Sequence, residues 1–153
     1  MALMKHGLGE PAITRIANAI AGVDPSFDAT LFIKSALCGL DDLALKQRVN
    51  HLIECLHRGL KKDFGSVCQL FVAVIPYWQK PVSNEPHSTF AAWPLIDYVA
   101  KHGLDEPELA LDTLKQLTCL FSAEFAIRPF IERYPDLCHR YFLIWVKDES
   151  EHV

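Results

Sequence analysis

Leu45, Val49, Leu52, Ile53, Leu56 and Leu60 recur at i, i+4, i+7, i+8, i+11 and i+15. That spacing lines one side of a helix and predicts a helix over 42–61. Before it, 11–21 is helical in composition, and 28–37 follows with Asp28 as an N-cap and Gly39 as a stop. After it, Asp63 caps a segment that buries Phe64, Val67, Phe71, Val74 and Ile75. Three prolines with Ser, Asn and Gln between 76 and 88 predict the longest loop. This loop is the boundary between an N-terminal helical subdomain, 1–80, and further helical repeats, 86–153. Four more helices are expected there, over 89–101 (ending at Gly103), 106–120, 122–133 and 135–147. Pro25, Pro107 and Pro135 are each placed in a first helical turn, where a missing N–H costs nothing. Strand signals are absent. Helices of this length, joined by short turns and without heptads, predict an all-α fold of antiparallel helix pairs stacked as an α-solenoid.

Half of the 153 residues are hydrophobic, enough for a compact core, and no apolar run is long enough for a membrane helix. A soluble, cytoplasmic protein without a membrane partner is expected. The five cysteines are odd in number and lack a CxxC pair, so they are read as reduced core thiols. Net charge is −4; residues 1–62 carry eight Lys or Arg against six acids, and 63–153 carry seven against thirteen. Any nucleic-acid contact therefore needs a local basic face. Lys46, Arg48, Arg58, Lys61 and Lys62 form the one cluster on offer, either as contacts to a DNA backbone or as a solvated helix face.

There is no Gly-rich phosphate loop, HExxH, GxSxG or zinc spacing, which removes the common nucleotide, metal and triad chemistries, and the seven histidines are scattered. The segment 122–131 stands out. Ser122 can cap a helix, Glu124 falls in its first turn, and Arg128 lies one turn further on. Pro129 removes the hydrogen bond to the Phe125 carbonyl and is expected to bend or end the helix near Arg128. Two readings stand: a capped helix with a surface ion pair, or a pocket wall carrying a carboxylate flanked by Phe121, Phe125 and Phe130.

Ser122 to Pro135 (SAEFAIRPFIERYP), followed by Trp145 and Asp148 to Val153 (DESEHV), resembles the AlkC family of DNA alkylation-repair glycosylases. FDATLF at 27–32, GLDDLALKQR at 39–48 and VAKHGLD at 99–105 are similar to the same family in the same order. The resemblance implies a HEAT-like α-α superhelix that cradles double-stranded DNA with alkylated bases. It also implies hydrolysis of the N-glycosidic bond of N3-methylated bases such as 3-methyladenine, without metal or cofactor. Glu124 matches the family's acid, and Arg128 its arginine, which either holds Glu124 or reaches phosphate, or serves as a plain helix ion pair. In the family, the stretch similar to Glu151-His152-Val153 runs on into an arginine-rich segment, so a truncated solenoid is expected, monomeric or self-associating through its end. Phe90, Trp93 and Tyr98 are candidates for an aromatic wall that attracts a cationic base, with core packing as the alternative. The rival to a glycosylase is a non-enzymatic helical scaffold or DNA-binding remnant.

Overall fold

A computed structural model describes residues 7–78 and 91–152, with side chains as far as Val146. Its helices are α1 (Glu10–Val23), α2 (Ala29–Leu37), α3 (Leu45–Leu60), α4 (Phe64–Trp78), α5 (Trp93–His102), α6 (Pro107–Leu117), α7 (Glu124–Arg133) and α8 (Pro135–His152), and a short 3-10 turn, Leu40–Asp42, precedes α3. No strand occurs among the described residues. The fold is all-α, as the patterning predicts.

Local chemistry sets most boundaries. The Asp28 carboxylate accepts the Leu31 N–H at 3.0 Å and opens α2, while Gly39 ends that segment at φ 74°. The Gln47 side chain reaches back to accept the Ala44 N–H at 2.8 Å, fixing the start of α3 at Leu45 rather than 42. Asp63 accepts from the Ser66 N–H and hydroxyl at 3.2 and 2.7 Å, as a cap for α4 should. The apolar stripe of α3 is buried from Val49 to Leu60, with Leu45 partly covered.

Pro25 and Pro76 depart from expectation. Pro25 lies in the turn before α2, because Asp28 provides the cap three residues later. Pro76 does not begin a loop: α4 runs through it to Trp78. Tertiary contacts hold that last turn, since Trp78 is buried, the Arg15 guanidinium sits 4.4 Å from its ring, and Arg15 donates to its carbonyl at 2.6 Å. The remainder of the expected loop, and the start of the helix expected at 89, lie outside the described residues.

The helices form two rows. α2, α3, α5 and α7 pack in sequence along one row, and α1, α4 and α6 along the other; α1 against α2, α5 against α6 and α7 against α8 join them. α2 and α3 run antiparallel, since Ala36 near the end of α2 meets His51 and Phe27 just before α2 faces Gly59 near the end of α3, whereas α3 and α5 run in the same direction. Lys46 and Glu54 of α3 meet Asp97 and Lys101 of α5 in that order, at 2.7 and 2.6 Å. Gly65 of α4 approaches Leu109 of α6. Same-direction neighbours such as α3 with α5 and α4 with α6 are what stacking antiparallel pairs produces. The core is continuous from Leu8 to Cys138 and includes residues on both sides of the 80–86 boundary. α8 leaves Leu143, Ile144 and Val146 exposed.

Candidate functional site

The Ser122 hydroxyl accepts the Glu124 N–H at 3.2 Å, which starts α7 at Glu124 rather than at Ser122. α7 then continues through Pro129 to Arg133. α7 does not end near Arg128: Phe130 and Ala126 are buried on the side of α7 facing the core, and this packing outweighs one missing backbone hydrogen bond.

On the opposite side of α7, three residues project into solvent. The Glu124 carboxylate lies 3.9 Å from Arg128, with the two side chains 72% and 60% exposed. The Arg128 guanidinium sits 4.6 Å from the Phe125 ring centroid, and Phe125 is 67% exposed. An ion pair this open contributes at most about 1 kcal/mol, so it does not lock Glu124 in place. Beside them, α3, α5 and α7 enclose an open groove of about 290 Å³ lined by Lys46, Asn50, Asp97, Lys101, Phe125 and Pro129. The site is thus a solvent-facing carboxylate, an exposed aromatic face and a groove edged by two lysines.

The other candidates divide. Lys46 borders the groove, paired with Asp97 and 5.6 Å from the Trp93 ring. Arg48 does not share that surface: it is buried, with its Nε donating to the Leu43 carbonyl at 3.1 Å, so it is removed from the exposed basic face. Lys61 and Lys62 stand just past the far end of α3 from Lys46, roughly 20 Å away at 1.5 Å per residue. Trp93 is half-buried, stacked on Phe121 at 5.6 Å and donating to Asp97 at 3.0 Å. Tyr98 is buried against Phe71, so its ring is core and not an open wall; burial pushes its hydroxyl up to about 12. Phe90 lies outside the described residues. The thiols also divide: Cys55, Cys68 and Cys138 are buried, whereas Cys38 and Cys119 are exposed and so are not core residues. Among the described residues, no group of three or more His, Cys, Asp or Glu is placed to hold a metal.

The fold unites two histidines that are 45 positions apart and show no spacing signal. His57 of α3 and His102 of α5 stack at 4.3 Å, with His57 Nδ1 3.2 Å from the Tyr98 hydroxyl. His102 Nε2 is buried without a hydrogen-bond partner among the described residues. Burial, and then the neighbouring His57 and Lys101, push the His102 pKa below its ordinary value, against the opposing pull of Glu54. Between the depressed folded value and the ordinary 6.5, the unfolded chain binds a proton that the folded chain resists. This contribution to stability is therefore intact above 6.5 and is lost as pH falls through the folded value. His102→Gln is expected to lose less stability than the native chain between pH 7 and pH 5, as read by urea midpoints; equal losses would rule out the shift.

No family model matches the chain. It is 25% identical, over 154 aligned residues, to the uncharacterized protein YhaZ of Bacillus subtilis (strain 168), covering all of this chain and 41% of that protein. It also superposes with a TM-score of 0.73 and 33% identity on Pseudomonas fluorescens alkylpurine DNA glycosylase AlkC, solved bound to DNA containing an abasic site analog. That match covers 84% of this chain. The chain is AlkC-like. This AlkC-like chain spans about a third of the solved glycosylase and about two-fifths of YhaZ.

Proposed function

We propose that this AlkC-like chain acts in DNA alkylation repair, as a soluble, cytoplasmic protein that binds duplex DNA and releases N3-methylated bases such as 3-methyladenine, with Glu124 as the acting carboxylate. The observation that carries this reading is the 33% identity to a solved alkylpurine glycosylase over 84% of the chain. The DNA in that structure carries an analog of the form a strand takes once a base has left.

The chemistry suits the α7 surface. A 3-methyladenine nucleotide is already cationic, so its glycosidic bond breaks with the electron pair leaving on the base, and positive charge builds on the sugar. Water then adds its oxygen to C1′ and gives up a proton. A carboxylate beside the sugar lowers the barrier by opposing the developing charge and can take that proton. Glu124 is exposed on the outward side of α7 and accessible to a strand. Phe125 already has a guanidinium over its ring, the same attraction that a methylated cationic base would feel. The groove between α3, α5 and α7 gives the backbone a place to lie along Lys46 and Lys101.

The test is release of 3-methyladenine from methylated duplex DNA. The native chain is expected to release it, and Glu124→Gln to release it about a hundredfold more slowly while binding DNA as before. The second reading is a helical scaffold without catalysis. It is favoured by the pairing of Lys46, Lys62, Lys101 and Arg128 with carboxylates, which reduces their attraction to phosphate. No release and no DNA binding by the native chain would establish it and end the glycosylase assignment.

A further inference from the structure

A second pocket, of about 440 Å³, opens between α2 and the end of α3, with Leu31 and Phe32 on its apolar side and Arg58, Lys61 and Lys62 around its mouth. Its charges do not cancel. Lys62 pairs with Asp24 at 3.4 Å, and Asp24 also accepts from Ser26. Asp28 borders the pocket with its carboxylate accepting the Leu31 N–H as the cap of α2. Arg58 directs its Nε at the Glu54 carbonyl, 3.4 Å away, and among the described residues neither Arg58 nor Lys61 lies within ion-pair distance of a carboxylate. The cations of the α3–α5–α7 surface are paired; these two are not.

Lys61 carries a second signal. It is the one described non-glycine residue at positive φ, 52°, where it ends α3 in the left-handed conformation. A side chain there is strained relative to glycine. Lysine nevertheless occupies the position, on the rim of the pocket.

We propose that this pocket binds a phosphate ester, with Arg58 and Lys61 gripping the phosphate and Leu31 and Phe32 covering the attached organic group. Guanidinium and ammonium donors are the usual pair for this anion, and the volume accommodates one nucleotide unit. The ester comes either from a DNA strand, which would extend the DNA reading above, or from a free nucleotide, which would not depend on it. The competing account is that both cations only offset the negative end of the α3 dipole.

Calorimetric titration with adenosine monophosphate, inorganic phosphate and a short unmodified duplex separates these cases. The native chain is expected to bind a phosphate ester, and Arg58→Gln and Lys61→Gly each to bind it about tenfold more weakly or worse. Lys61→Gly keeps the fold, because glycine suits the left-handed backbone. Duplex that displaces the mononucleotide identifies a strand as the source; mononucleotide binding that saturating duplex leaves unchanged identifies a free nucleotide. No binding by the native chain, or equal binding by both variants with only their stability altered, overturns the proposal. Failure of the Glu124 assignment would appear in base release and not in these titrations.

Discussion

Phe130→Ala is expected to destabilise the fold by about 3–5 kcal/mol, the cost typical of removing a fully buried phenyl ring from a close-packed core. Phe130 has no exposed surface, and it is the large side chain that anchors α7, whose other buried position is only Ala126. α7 packs against α5, α6 and α8, and the cavity would open on its core-facing side. A domain of this size has a total stability of about 5–15 kcal/mol, so the loss takes a large share of it. Urea denaturation gives the global change, and amide exchange along 124–133 shows whether α7 loosens first. A change below about 1 kcal/mol would mean that Phe130 does not hold α7 in place. The functional consequence is direct, because Glu124 and Phe125 occupy the outward side of the helix that Phe130 secures.

The second large effect is expected at Gly103, where addition of a single methyl group should cost about 2–3 kcal/mol. Its backbone, at φ −105° and ψ 7°, is open to other residues, so conformational freedom is not the reason glycine is needed. Space is. A Cβ at this position would collide with the tip of the Phe64 ring and would stand 2.6 Å from the Val99 carbonyl and 2.9 Å from Ala110 Cβ. The ring can swing aside, but the Val99 carbonyl belongs to α5, which Gly103 itself caps, and Ala110 belongs to α6. Gly103→Ala combined with Phe64→Leu is therefore expected to regain only part of the loss in thermal or urea melts. Full recovery would place the whole conflict at the ring.

Much of the architecture was legible from the positions of leucine and isoleucine. α3 was the clearest case, because six apolar residues on one stripe leave little choice of period. The same wheel also contained the signal that removes Arg48 from the surface: it lies three residues after Leu45 and four before Leu52, on the buried side of α3. Its charge invited an exposed placement, but its position argued otherwise. Neither Pro76 nor Pro129 ends its helix, because the cost of proline in a helix is local, whereas Trp78 and Phe130 bring contacts from distant parts of the chain. At the candidate site, Glu124 and Arg128 were visible as an i, i+4 pair, but nothing in the sequence gave their exposure or the groove next to them. The stacking of His57 on His102 depends on how α3 meets α5, and no local pattern encodes it.

The alternating signs along the α3–α5 contact work as a key for position. Read in one direction, α3 presents plus then minus at Lys46 and Glu54, and α5 answers with minus then plus at Asp97 and Lys101. If α5 slid one turn along its neighbour, Lys101 would arrive opposite Lys46 and Asp97 would be left without its match. Each pair alone contributes little in water, but the wrong alignment forfeits both attractions and adds a repulsion. What the pairs lack in strength they return as discrimination: apolar side chains of similar size would tolerate either alignment, and the charges admit one.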